Sequence, residues 1–438
     1  MLKRVTTLST LLLLIQPIAY AAETSSQYSS LASDTVISSA GKTVLQQTIN
    51  ISTPGWVFVE TDGRVYPSGG YAIADLWINV DGVMKSNASV IDWSKSSDAQ
   101  QHSYNAIGAV YVSAGQHTIS LVAQSLNSPT FTIGAGSNLS TVVNPAPTVG
   151  VAALGADTGT LSFNTAGLTG TSVLPTSPEV TLNVNGANGS SVVALASARN
   201  YEYGNAGDPL VTVTLDGSTL PNNQASWSDN DMYSEAENQA PFFSHAYIPN
   251  VSSAMHAVSL AASALPYSGG LTNTVQYRMG ADSTLIALQG MQLSGGASFV
   301  SDAHNVTNYI CVGTNQGWSG CPPVGTAVPI AEGNIVIPPG HNGIVFITGK
   351  TRIQAGSSDA GGTAALYLTV DGVQVGSTGI QQLKSPDSVS TRTLSASYLA
   401  TGVNTLSVGT HHVVLYGSVT GSFIHAAMTQ DLPLVWFD

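Results

Sequence analysis

The chain has 438 residues, of which 43% are hydrophobic and only 8% charged, with 12 basic against 25 acidic residues and a formal net charge of −13. Globular domains usually carry about 25% charged residues, but so apolar a composition is not that of a disordered chain. No basic stripe is available to displace counterions from phosphates, which excludes nucleic acid as a partner and argues against anionic membrane surfaces.

Residues 1–21 read as a signal peptide. Lys3 and Arg4 form a basic start, Leu11 to Ile15 an apolar centre, and Ala19-Tyr20-Ala21 a small-x-small cleavage site. The apolar stretch is too short to span a bilayer, and no later run approaches the required ~20 residues, so no membrane insertion is expected. The expected location is secreted or extracellular, with the periplasm and the cell surface included.

After the leader the chain states one pattern three times. Leu76-Trp-Ile-Asn-Val-Asp81-Gly82 returns as Val211-Thr-Val-Thr-Leu-Asp216-Gly217 and as Leu366-Tyr-Leu-Thr-Val-Asp371-Gly372. Each is followed, 36, 40 and 40 residues beyond its Asp, by His117, His256 and His411 at the start of a second strand-like run. Each is preceded, 17, 17 and 19 residues before its Asp, by Arg64, Arg199 and Arg352. Short alternating runs bounded by Gly, Asn, Ser and Pro are the mark of half-buried strands. The fold class expected is all-β: three tandem antiparallel β-sandwich domains of jelly-roll-like form, at residues 22–145, 146–291 and 292–438.

In chain order, the first repeat holds Trp56-Val-Phe-Val59 as an apolar strand and closes with Phe131-Thr-Ile and Leu139-Ser-Thr-Val. Trp56 and Trp77, with Trp436 in the third repeat, read as core residues in apolar strand patterns. Asn144-Pro-Ala-Pro147 is a stiff linker to the second repeat. There Met255 to Leu265 has helix-favouring composition, but its counterparts after His117 and His411 alternate and are β-branched. The repeat outweighs the propensity and predicts a strand. In the third repeat Cys311 and Cys321 lie ten positions apart, a spacing that in an exported protein predicts a disulfide-closed loop.

The repeated Asp81, Asp216 and Asp371 read as hairpin-turn residues, because Asp-Gly supplies the positive φ a tight turn needs. The three arginines are a notable coincidence, since only five arginines follow the leader. They read as clamps within each repeat, with the Asp of the same copy as a partner, and an anionic-ligand site as the weaker alternative. One His per repeat falls short of the three or four ligands of a metal site, so these histidines read as structural hydrogen-bonding groups. Asp229, Asp231, Glu235 and Glu237 crowd one loop. It reads as a solvated acidic loop, with Ca²⁺ as the alternative occupant, although the EF-hand spacing is missing. No other cofactor is expected. Trp93 and Trp227 at equivalent loop positions, with Tyr66, Tyr201 and Tyr203, are the candidate stacking faces for a sugar.

At motif level the repeats resemble the jelly-roll modules of tumour necrosis factor and complement globular heads. The likeness rests on Leu-x-Val-Asp-Gly, on the late Gly-x-His-x-x-x-Leu and on the apolar closing strand. It implies trimer-like packing, here as a pseudo-trimer on one chain, and it transfers no functional residues. Enzyme motifs are absent: there is no H-E-x-x-H or P-loop, and Gly356-Ser-Ser358-Asp-Ala360 lacks the last Gly of a nucleophile elbow. The expected function is a non-enzymatic structural or adhesive role at a protein or glycan surface, self-association included. Carbohydrate binding through the loop aromatics is the alternative.

Overall fold

The structure is a computed structural model that describes residues 25–437 apart from 69–71, 93–100, 145–148, 154–160, 165–171, 174–177, 185–189, 204–207, 221–224, 227–237, 266–273, 281–282, 290–308, 312–322, 324, 341–342, 356–361, 384–389, 422–424 and 432–433. The described residues form antiparallel strands, with a single 3₁₀ turn at Gly402–Asn404.

The first pair of sheets holds ten strands: β1 (Ser25–Ser30), β2 (Thr35–Ile37), β3 (Lys42–Ile51), β4 (Gly55–Pro67), β5 (Ile73–Val80), β6 (Val83–Asp92), β7 (His102–Val112), β8 (Gly115–Ser125), β9 (Phe131–Ile133) and β10 (Asn138–Val143). One sheet runs β1-β10-β4-β9-β2 with β7 along the other side of β4, and the second runs β3-β8-β5-β6. Alternation places the core. Leu76, Ile78 and Val80 of β5 point in with Ile119 and Leu121 of β8, against Val57, Val59 and Val65 of β4. Trp77, between two of those inward residues, therefore falls on the outer face and is only half-buried, so the expected core role of Trp77 is not what the structure shows. The side chain of Trp436 lies outside the described residues.

The same plan recurs twice. Ser190–Tyr203 and Ile344–Ala355 take the place of β4, flanked by Asn238–Val251 and Ser390–Ala400 in the place of β7. Met255–Leu265 is a strand, whose Val258–Leu265 part pairs with Asp208–Leu215. Its helix-favouring composition yields to sheet packing, because Val258 and Leu260 alternate into the second core. Each sheet pair encloses its own apolar core.

A fourth core joins the three pairs. Phe58, Ile107 and Val142 of the first meet Val193, Leu195 and Ile286 of the second and Ile344, Phe346 and Leu399 of the third. These residues alternate with those of the private cores: Phe58 faces outward from its sandwich while Val57 and Val59 face in. Phe58 and Phe346, at matching places in their strands, touch edge to face with centroids 5.5 Å apart. The contacts run head to tail around a ring. β6 packs on Ser190–Tyr203 and Asn238–Val251, Ala225–Ser226 on Ile344–Ala355 and Ser390–Ala400, and Val373–Leu383 on β4 and β7. Heterologous contacts that close in this way make a pseudo-threefold ring, with a seam where the first and third sheet pairs meet.

Candidate functional site

The hairpin turns repeat down to their atoms. Asp81, Asp216 and Asp371 have φ of 52°, 49° and 51°, and the glycines after them 77°, 75° and 79°. Two consecutive positive φ values define the tight turn that Asp-Gly favours. Beside each turn stands the recurring histidine of its own repeat. His117 Nδ1 lies 2.7 Å from Asp81 Oδ2, His256 Nδ1 2.8 Å from Asp216 Oδ2, and His411 Nδ1 2.7 Å from Asp371 Oδ2. The second carboxylate oxygen accepts from the backbone N–H of Thr118, Ala257 or His412. The other ring nitrogen faces a carbonyl four residues back, that of Ser113, Ser252 or Ser407.

Both imidazole nitrogens thus meet acceptors, which suits the doubly protonated ring. The Asp hydrogen bond raises His117 and His256 above the ordinary histidine value; in His411 burial is the largest single influence and pulls down, but the Asp371 hydrogen bond, the Ser407 carbonyl and the Asp371 charge together raise it. The same hydrogen bonds hold the three aspartates below their usual range. With both nitrogens engaged, neither offers a lone pair to a metal. Each pair is a clasp that ties a turn to the next strand.

The clasps displace one expectation. Asp81 was the natural partner for Arg64 within the repeat, but its carboxylate is taken by His117 and Thr118. Arg64 is half-buried, lies across Gly134 and sits near Asp34, whose carboxylate is held chiefly by Tyr66 Oη and the N–H of Ala135. Tyr66 is thereby drawn into a contact of its own sheet pair. Arg199 and Arg352 occupy the register positions opposite Pro241 and Thr393, as Arg64 lies opposite Ser103. Their side chains, and those of Tyr201, Tyr203 and Cys311, lie outside the described residues. So do Trp93, Trp227, Asp229, Asp231, Glu235, Glu237 and Cys321 altogether. No group of three or more His, Cys, Asp or Glu fit for a metal occurs among the described residues.

A second constellation escaped the sequence reading. Glu60 and Asp62 alternate outward from β4 with Phe58, and both are fully buried at the seam. Glu60 Oε1 accepts from Asn105 Nδ2 at 2.7 Å, and both its oxygens accept from Ser397 Oγ of the third sheet pair, at 2.9 and 3.0 Å. Asp62 accepts from Asn138 Nδ2 and, at 2.5 Å, from Ser377 Oγ of the third pair. Burial drives Glu60 well above the usual carboxylate range, with Asp62 adding to the rise. Burial raises Asp62 to about 7 against the pull of its serine and asparagine donors.

Around the ring, buried Lys350 donates to Ser244 Oγ at 3.2 Å and to the carbonyl of His245 at 3.3 Å. His245 is driven well below the ordinary value by burial and then by the Lys350 charge. The sequence signal for this layer was two acids and a lysine on alternating strands. It reads equally well as an ordinary solvated face, until a neighbouring sheet pair covers it.

No family model matches the chain, and no curated protein matches it. Among solved structures, a tandem CBM22 domain of Xyn10C from Paenibacillus barcinonensis is 13% identical, over 60% of this chain and 93% of that one, with a TM-score of 0.15. A structure of infectious bursal disease virus, Gx strain, is 7% identical over 95% and 81%, with a TM-score of 0.19. Dimeric latent PorU from Porphyromonas gingivalis is 10% identical over 83% and 32%, with a TM-score of 0.20. Scores this low carry no argument about function.

Proposed function

We propose that the protein is a secreted, non-enzymatic structural or adhesive protein that acts in extracellular or cell-surface assembly. The observation that carries this reading is the closed ring. Three sandwiches share one apolar core, so the chain behaves as a stiff block that presents three equivalent Asp-His-clasped turns. The three repeated Asp-His pairs are engaged in clasps and Glu60 and Asp62 are sealed at the seam, which supports a scaffold reading. Three equivalent faces on one block also give avidity, where weak single contacts combine into binding about 10²–10⁴-fold tighter. Export rests on the leader of residues 1–21.

The test is attachment of the mature chain to surfaces, read beside its mass by size-exclusion chromatography with light scattering. Assembly or surface attachment is expected. A monomer that binds no surface would overturn the reading.

A second reading, glycan binding, is favoured by one observation. Trp77 and Tyr367, each four residues before its turn Asp, stand half-buried on the outer face. They add to the loop candidates Trp93 and Trp227. A glycan array with wild type beside Trp77→Ala and Trp227→Ala decides: specific sugar binding lost in either variant would establish it.

A further inference from the structure

The seam encloses more oxygen than its hydrogen bonds use. Asn138 and Ser140 of β10 lie directly opposite Asp62 and Glu60 in register, and Ser377 and Ser397 close the space from the third sheet pair. Asn138 is fully buried. Its Nδ2 donates to Asp62, which fixes the amide against that carboxylate, yet its Oδ1 has no partner. Ser140 Oγ, in a residue 1% exposed, has none either. No Lys or Arg forms an ion pair with Glu60 or Asp62 among the described residues.

Two carboxylates in a dry chamber are strongly disfavoured unless their charge is met. A proton on one carboxyl would supply a single O–H donor, whereas a cation meets both carboxylates and the unpartnered Asn138 and Ser140 oxygens together. The oxygens gathered there come from two carboxylates, the Asn138 amide and hydroxyls. That donor set suits a hard cation of the Ca²⁺ type, which takes six to eight oxygens in flexible geometry. We propose that the chamber binds such a cation through Glu60, Asp62 and the Asn138 amide oxygen, and that the ion fastens the first sheet pair to the third. An ion held there bridges segments more than 300 residues apart in sequence, as the Asp62–Ser377 contact does.

The test uses the full mature chain, stripped with EDTA and titrated with Ca²⁺ or with Tb³⁺ as a luminescent probe. Tyr28, close enough to feel both carboxylates, is the sensitiser. Ca²⁺ is expected to raise the melting temperature by several degrees, and tyrosine-excited Tb³⁺ emission to appear and be displaced by Ca²⁺. Glu60→Gln and Asp62→Asn, near-isosteric and verified as folded by circular dichroism, should lose both signals. Asp229→Asn/Asp231→Asn, in the acidic loop, should keep them. Binding that survives in Glu60→Gln and Asp62→Asn but fails in the loop variant would overturn the proposal. So would a wild-type protein that ignores Ca²⁺ and Tb³⁺ and responds at the seam to pH alone.

Discussion

Phe346 is the residue whose loss should reveal the ring most directly. It is 1% exposed, belongs to the core shared by all three sheet pairs, and meets Phe58 edge to face at 5.5 Å. Ile347, its neighbour, is fully buried but faces the private core of the third pair. Phe346→Ala removes a whole buried ring and should cost about 3–5 kcal/mol, the aromatic pair itself accounting for about 0.5–1.5 of that. Ile347→Ala should cost a similar amount, about 2–5 kcal/mol, so the size of the loss does not separate them. Its location does. Phe346→Ala should raise amide exchange along β4, β7 and Thr284–Gln289 as well as in its own strands, because Phe58, Ile107 and Ile286 belong to the same shared core. Ile347→Ala should loosen the third pair first. Urea denaturation with hydrogen exchange read by mass spectrometry measures both quantities. A Phe346→Ala variant that loses less than about 1 kcal/mol, or opens only Ile344–Ala355 and its sheet neighbours, would refute the shared core.

Three further outcomes follow from the same geometry. With metal chelated, the seam should be more stable in acid: Asp62 has a folded value near 7 against about 4 unfolded, so stability falls as pH rises between those values and levels off above, by an amount on the order of 4 kcal/mol for Asp62 alone. Melting scans that rise from pH 4 to 7 would contradict this. The Asp-His clasps respond differently, since a raised His value gives stability present below about 6.5 and lost as pH climbs through it, while a lowered Asp value gives stability lost only as pH falls through the acid range. Each clasp should be strongest between those limits. Asp371→Asn should cost about 0.5–1 kcal/mol because the carboxylate is half-exposed, and proton NMR that finds His411 titrating below the ordinary value would disprove the clasp. Arg64→Ala should cost only about 1 kcal/mol, as the residue is half-buried, its Nε has no hydrogen-bond partner and its acidic neighbour Asp34 is held mainly by Tyr66. A loss of 3 kcal/mol or more in thermal denaturation would restore a buried clamp.

The sequence by itself determined what local chemistry controls. Asp-Gly specifies a positive-φ turn wherever it follows an apolar strand, and period-two alternation marks which residues of β3 and β5 turn inward. Repetition even decided Met255–Leu265 against its own propensity, because three copies of one backbone constrain the sheet more than one segment's composition does. The recurring interval from Asp to His, of 36, 40 and 40 residues, also held the clasp, although neither residue alone named the other as its partner. Tertiary structure decided which outward faces stay outward. Trp77 and Phe58 both alternate out of the same sandwich, yet Trp77 remains on the outer surface while Phe58 is sealed against Phe346. Glu60 and Asp62 likewise read as solvated acids until the third sheet pair arrives from over 300 residues away with Ser377 and Ser397. Alternation records only that a residue leaves its own core. Whether it then meets water or another sheet depends on how the three sandwiches close into a ring, and no local pattern encodes that.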